Sequence, residues 1–134
     1  MSTKFRGLSA EAFVEEEWKY GYLIEDGGYS FIINQVIEAN EQYITIGSWY
    51  PVIPETVSQS TGLFDKNGKE VFEGDILSIE TIDEQVYVSV FWDDKHALFM
   101  FKSEKYNESE ALAELVEDYA YPFEVIGNIW KKQN

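Results

Sequence analysis

The chain has 134 residues and no cysteine, which excludes disulfides, thiolate metal sites and cysteine nucleophiles and leaves stability to packing. Its 25 acidic residues against ten basic ones give a formal charge of −15, with Arg6 the single arginine and lysines scattered apart from the Lys131-Lys132 pair; this argues against direct binding to nucleic acid or to an anionic membrane. A hydrophobic content of 45%, with nine Tyr, nine Phe and four Trp, marks a folded chain whose aromatics favour half-buried strands.

In chain order, Glu11 to Glu17 reads as a short helix with Ser9 as N-cap, Ala12 and Phe13 on its apolar side and glutamates in its first turns. Trp18 to Ile24 reads as a strand, Glu25-Asp26-Gly27-Gly28 as a turn and Tyr29 to Ile33 as the answering strand; Val36 and Ile37 fit a bend or a further strand. Tyr43 to Ile46 is a strand by composition and leads into Trp49-Tyr50-Pro51-Val52-Ile53-Pro54. Proline has no N–H for a central ladder, so residues 50 to 55 are expected to end regular pairing, as an edge or a crossing. A soft boundary at 54 to 60 divides one unit of 1–134 into an N-terminal β subdomain, 1–55, and a barrel-like C-terminal subdomain, 60–134, with no flexible linker between them.

From Thr61 to Leu77 the chain packs two strands and two turn signals together. Asn67-Gly68 is expected to form a type I′ hairpin turn, and Glu73-Gly74-Asp75 to redirect the chain into the next strand. Ile76 to Ile82, Gln85 to Trp92 and Ala97 to Lys102 then read as a meander, with Val86, Val88 and Val90 on one face of the middle strand and Tyr87, Ser89 and Phe91 on the other. Apolar residues at 111, 112, 115, 116 and 119 have helical spacing over Glu108 to Tyr119, and Phe123 to Trp130 follows Pro122 as a last strand. The expected fold is mostly β, with small SH3-like or partly open barrel subdomains and one or two short helices.

Several of these segments carry a family resemblance. Thr61-Gly62-Leu63, Asp65 to Lys69 and Glu73-Gly74-Asp75-Ile76-Leu77, with Lys4-Phe5-Arg6 near the start and Glu124-Val125-Ile126-Gly127-Asn128-Ile129 near the end, resemble the YopX family of bacteriophages and prophages of Gram-positive bacteria. The chain departs from that pattern at Gly7-Leu8-Ser9, where the family often has a small residue, Trp and Asp. It also ends at Asn134, where the family usually continues. The resemblance makes Thr61, Gly62, Asp65, Asn67, Gly68, Gly74, Asp75 and Gly127 signature turn residues. It also implies a phage or prophage accessory protein in the cytoplasm of a bacterial host. It carries no biochemical activity with it.

Catalytic and metal-binding patterns are weak. Asp65-Lys66-Asn67-Gly68 with Glu70, Glu73 and Asp75 invites comparison with a calcium loop, yet an EF-hand needs its glycine in sixth place and an oxygen ligand in fifth. Here glycine stands fourth and Lys69 fifth, so the segment reads as a turn. His96, the one histidine, sits among Asp93, Asp94 and Lys95 and reads as solvated. Gly27-Gly28 lacks the surroundings of a phosphate loop, and with 25 acids some carboxylates are neighbours by chance. No cofactor, metal or enzymatic activity is expected, and Asn107-Glu108-Ser109 reads as a chance sequon. No run of about 18 apolar residues or N-terminal leader suggests a membrane or export role.

Trp49, Tyr50, Val52 and Ile53 form the candidate contact surface, because Trp and Tyr beside prolines at an edge suit a protein interface. The expected role is a non-enzymatic interaction module with a protein partner. Self-association is expected through the segments Trp49 to Pro54 and Phe123 to Trp130. An acidic inhibitor or DNA mimic acting on a nucleic-acid-binding protein is the alternative, and a small hydrolase the third reading.

Overall fold

Period-two alternation and turn chemistry account for most of the elements. The computed structural model describes residues 4–11, 17–117 and 121–130. Among the described residues its strands are β1 (Phe5–Leu8), β2 (Trp18–Asp26), β3 (Tyr29–Ala39), β4 (Ile44–Val52), β5 (Ser58–Phe64), β6 (Glu70–Phe72), β7 (Asp75–Glu80), β8 (Gln85–Asp93), β9 (Leu98–Ser103), β10 (Glu108–Ala111) and β11 (Phe123–Asn128), with a 3-10 turn at Pro54–Thr56 and one α-helical turn α1 (Glu114–Glu117). Pairing is antiparallel, in a six-stranded order β4-β3-β2-β1-β5-β6 and a five-stranded order β10-β9-β8-β7-β11. The protein is mostly β with very little helix, and neither sheet closes into a barrel. The chain divides at a point within β5 into two compact units, residues 1–60 and 61–134.

In the first unit Gly27 and Gly28 both have positive φ, 59° and 87°, between the paired Asp26 and Tyr29, which makes the β2–β3 connection a two-residue type I′ turn. Strand β3 runs on through Val36 and Ile37 to Ala39, with register shifts against β4 around Gln35. Asn40 then turns the chain by accepting from the N–H groups of Gln42 (2.8 Å) and Tyr43 (3.2 Å). Pairing does not stop at Pro51: that proline lies opposite Phe31 on the outer strand, where no inner ladder needs its N–H. A bridge between Ser9 and Val52, with Ala10 N–H donating to Pro51 O (3.0 Å) and Ile53 N–H to Leu8 O (2.8 Å), draws the ends of β1 and β4 together. Ile32, Val52, Leu8 and Ile33 are buried here, and Gly7 leaves the space that Val52 fills.

In the second unit the buried cluster is Val71, Leu77, Ile79, Val88, Val90, Phe101, Leu112, Phe123 and Val125. Val88 and Val90 point inward from β8 while Tyr87 is exposed, as the alternation predicts. The segment from Glu108 differs from the expected helix. Its first four residues pair with β9 from Glu108↔Ser103 to Ala111↔Met100, Leu112 plugs the core, and one helical turn follows among the described residues. A strand end plus one turn places Leu112 and Leu115 on the core as well as a helix would, and it also satisfies the edge of β9. Tyr119 lies outside the described residues. So do 12–16, the body of the helix expected at Glu11 to Glu17; Ser9 does accept from Glu11 N–H (3.3 Å).

Candidate interaction surface

One face of the first unit's sheet is built from apolar and aromatic side chains, several of them exposed and none covered by another strand among the described residues. Tyr22 pairs with Ile33 and Ile33 with Trp49; Ile24 pairs with Phe31 and Phe31 with Pro51, so these six side chains share a face across β2, β3 and β4. Tyr20 extends the row along β2. Trp49 is 56% exposed, and Tyr20, Tyr22, Ile24 and Ile46 are exposed beside it. Phe31 packs edge-on against Trp49, with ring centroids 5.6 Å apart and planes at 73°. Ile24, Phe31, Ile33, Ile46 and Trp49 line a shallow apolar groove of about 250 Å³ on this face.

The candidates proposed from sequence divide accordingly. Trp49 stands on the outer strand of the open face, against Phe31. Ile53 is exposed beyond the end of β4. Tyr50 points to the opposite face, where Lys19 Nζ lies 4.0 Å from its ring centroid. Val52 is a correction: it is 3% exposed, sealed against Gly7 in the core, and presents nothing to a partner. The sequence reading missed Tyr20, Tyr22, Ile24, Phe31 and Ile46. Tyr20-x-Tyr22-x-Ile24 was the available signal, since it marks one apolar face of β2, but alternation alone does not say whether that face is covered.

The signature turn residues do structural work in the second unit. Asp65, 6% exposed, accepts through Oδ1 from the N–H groups of Asn67 (2.9 Å) and Lys69 (2.8 Å), and through Oδ2 from Val125 N–H in β11 (2.9 Å). Burial alone would push its carboxyl up, but the bonds from Val125, Lys69 and Asn67 and the nearby Lys69 charge outweigh that and hold it below its ordinary range. The turn it organises is not type I′. Gly68 N–H donates to Asp65 O (3.0 Å), Asp65 N–H to Lys69 O (2.8 Å), and Gly68 alone of the turn residues has positive φ, 81°. These features define a three-residue loop, a type I turn followed by a left-handed glycine. Asp65 selects it, because its carboxylate collects the N–H groups that a two-residue loop would aim elsewhere.

Thr61 Oγ1 donates to Val71 O (2.8 Å) and accepts from Leu63 N–H (3.1 Å), tying β5 to β6 at the positive-φ Gly62. Asp75 Oδ2 accepts from Phe72 N–H (2.8 Å) across the Glu73-Gly74 turn. Gly74 lies under Trp130, and a Cβ there would stand 2.2 Å from the indole. Gly127 is a correction, since it lies inside β11 at a register shift opposite Ile76 and forms no turn.

Chemistry elsewhere is sparse. His96 Nδ1 lies 2.8 Å from Asp93 Oδ2 in an exposed loop, and that hydrogen bond holds the Asp93 carboxyl below its ordinary range. Asp93 also accepts from Lys95 N–H, so the pair closes the β8–β9 turn. Among the described residues no three His, Cys, Asp or Glu side chains are grouped to hold a metal ion, and no helix is long and apolar enough to cross a membrane.

The solved structure of protein EF1440 from Enterococcus faecalis is similar, with 24% identity and a TM-score of 0.60 over 96% of this chain and 94% of that one, which shows a shared fold. No curated protein sequence matches. The sequence model of the YopX protein family matches residues 4–134, and the chain therefore belongs to the YopX family.

Proposed function

We propose that this protein is a non-enzymatic interaction module, a phage or prophage accessory protein that binds a host or phage protein through the open face of β2, β3 and β4. The observation that carries the reading is the exposed row Tyr20, Tyr22, Ile24 with Trp49 and Ile46 around the Phe31 groove. Monomeric proteins rarely leave so many large apolar side chains together on a sheet unless something covers them. Trp and Tyr on such a face are the residue types that dominate binding energy.

The chemistry of the partner follows from charge. Residues 1–60 hold nine carboxylates against Lys4, Arg6 and Lys19. Arg6 is buried over the Trp18 ring and donates to Ser58 Oγ, while Lys19 engages Glu17 and Tyr50. The first unit is therefore acidic in net charge, and the partner surface that suits it is an apolar patch flanked by lysine and arginine. A second copy of this chain, at −15, would meet repulsion across the same face.

The test uses tagged full-length protein, wild type and the double variant Ile24→Ser/Trp49→Ser, in host cells. Partners are identified by mass and the pair is remade from purified components. A basic protein whose purified affinity falls by about tenfold or more in the double variant, and weakens with added salt, supports the reading. Equal capture by both forms, an acidic partner, or no partner for the wild type overturns it. The double variant must keep the wild-type circular dichroism; if it does not, Trp49→Ser alone, at a position already exposed, decides.

A further inference from the structure

The outer face of β7, β8 and β9 in the second unit holds a separate hollow of about 450 Å³, within the range of about 300–1,000 Å³ common to small-molecule sites. The register sets Ile76, Ser89 and Lys102 in one row across the three strands, and Tyr87 shares their face one step along β8. Ile129, 61% exposed after β11, closes one side. The floor is thus aliphatic and aromatic, with a hydroxyl and an ammonium at the same level.

Lys102 is the unusual member. It is half-buried, and among the described residues no carboxylate lies within ion-pair distance of it, in a chain with 25 acids. Lys105 at the rim is different, because its Nζ is bonded to Glu84 Oε2 at 2.5 Å. An ammonium on a half-buried side chain, with no carboxylate within ion-pair distance, attracts an anion that can also cover the apolar floor. Glu104 lines the same hollow and would repel a second negative charge. We propose that this hollow binds a small aromatic monocarboxylate, its carboxylate on Lys102 Nζ and the Ser89 hydroxyl and its ring against Tyr87, Ile76 and Ile129. The site is independent of the docking face, which belongs to the other unit.

The experiment is a titration of the full-length ¹⁵N-labelled protein with benzoate and with indole-3-acetate, alongside their neutral amides. Saturable shifts at the Tyr87, Ser89 and Lys102 amides with a Kd of about 1 mM or tighter are expected. The amides should bind about tenfold more weakly or worse, and Lys102→Gln should lose the carboxylates by a similar factor while Lys105→Gln keeps them. Absence of saturable shifts, equal binding of acid and amide, or undiminished binding by Lys102→Gln overturns the proposal. Should Lys102→Gln fail to give a folded spectrum, the comparison of acid with amide on the wild-type protein decides by itself.

Discussion

Replacing Asp65 should damage the second unit out of proportion to the size of the change. Its carboxylate serves three N–H donors on two parts of the chain, Asn67 and Lys69 in the loop and Val125 in β11. Asn67 and Lys69 are exposed, so on loss of the carboxylate water can take their N–H groups at small cost. Val125 is 8% exposed, and its donor would be left buried without an acceptor. An orphaned buried donor costs about 1–3 kcal/mol, and the loosened loop adds to that, so Asp65→Ala should lose about 2–4 kcal/mol. Asp65→Asn keeps one acceptor but turns an NH₂ toward one of the donors, and should lose about 1–3 kcal/mol.

The same residue carries a pH signature. Its carboxyl is held below the ordinary range in the folded protein, against about 3.9 when unfolded. A depressed folded value means the unfolded chain binds the proton more readily; the stabilisation is therefore complete above the unfolded value and is lost as pH falls through the folded one. Acidification also relieves the repulsion of a −15 chain, which works the other way, so the quantity to follow is the difference between wild type and Asp65→Asn. Urea melts at pH 7 and down to about pH 2.5, with hydrogen exchange at the Val125 amide, should show that difference shrinking toward zero in acid. A difference below about 0.5 kcal/mol at pH 7, or one that stays constant in acid, would refute the role given to the carboxylate.

A Cβ at Gly68 meets no neighbouring atom within 4 Å, so the cost of Gly68→Ala, about 1–2 kcal/mol, should come from backbone strain at φ 81°, read as a lower thermal midpoint. Gly74→Ala adds a collision with Trp130 to a φ of 87°, and should cost more than Gly68→Ala and shift the indole emission as the ring is displaced. Random duplex DNA at about 150 mM salt should give no gel shift at micromolar protein, since the phosphate term is repulsive. Any self-association along the free stretch of β4 should strengthen as salt rises, seen by light scattering near 100 μM, with a monomer at every salt concentration counting against it.

The turns were more legible than the surfaces, for a physical reason. A positive-φ glycine or a carboxylate two residues before an N–H acts on its immediate neighbours, so Gly27-Gly28, Gly68 and Gly74 announce their bends within a few residues of sequence. Even so, Asn67-Gly68 misled as to turn type, because Asp65 draws in Asn67 and Lys69 and makes a three-residue loop cheaper. The helix expected from Glu108 failed similarly. Apolar spacing records which residues are buried, and Leu112 and Leu115 reach the core from a strand end and one turn as well as from a helix, so β9's need for a partner decided between them.

Faces are harder to read than turns. Val52 and Trp49 stand three residues apart in one proline-flanked apolar segment, yet one is sealed by Gly7 and the other open beside Phe31. What separates them is the pleat together with the neighbours brought by β1 and β3, a non-local fact that no window of sequence contains. The same holds for Lys102, unremarkable in sequence, whose row with Ile76 and Ser89 exists only because three strands align. The turn residues that carry the family resemblance thus report on how the second unit folds, since Asp65, Gly74 and Asp75 are tied up in its turns. A relative could keep every one of those residues and differ along β2 to β4, which is why the proposed binding role is placed on an open strand face and not in the motif.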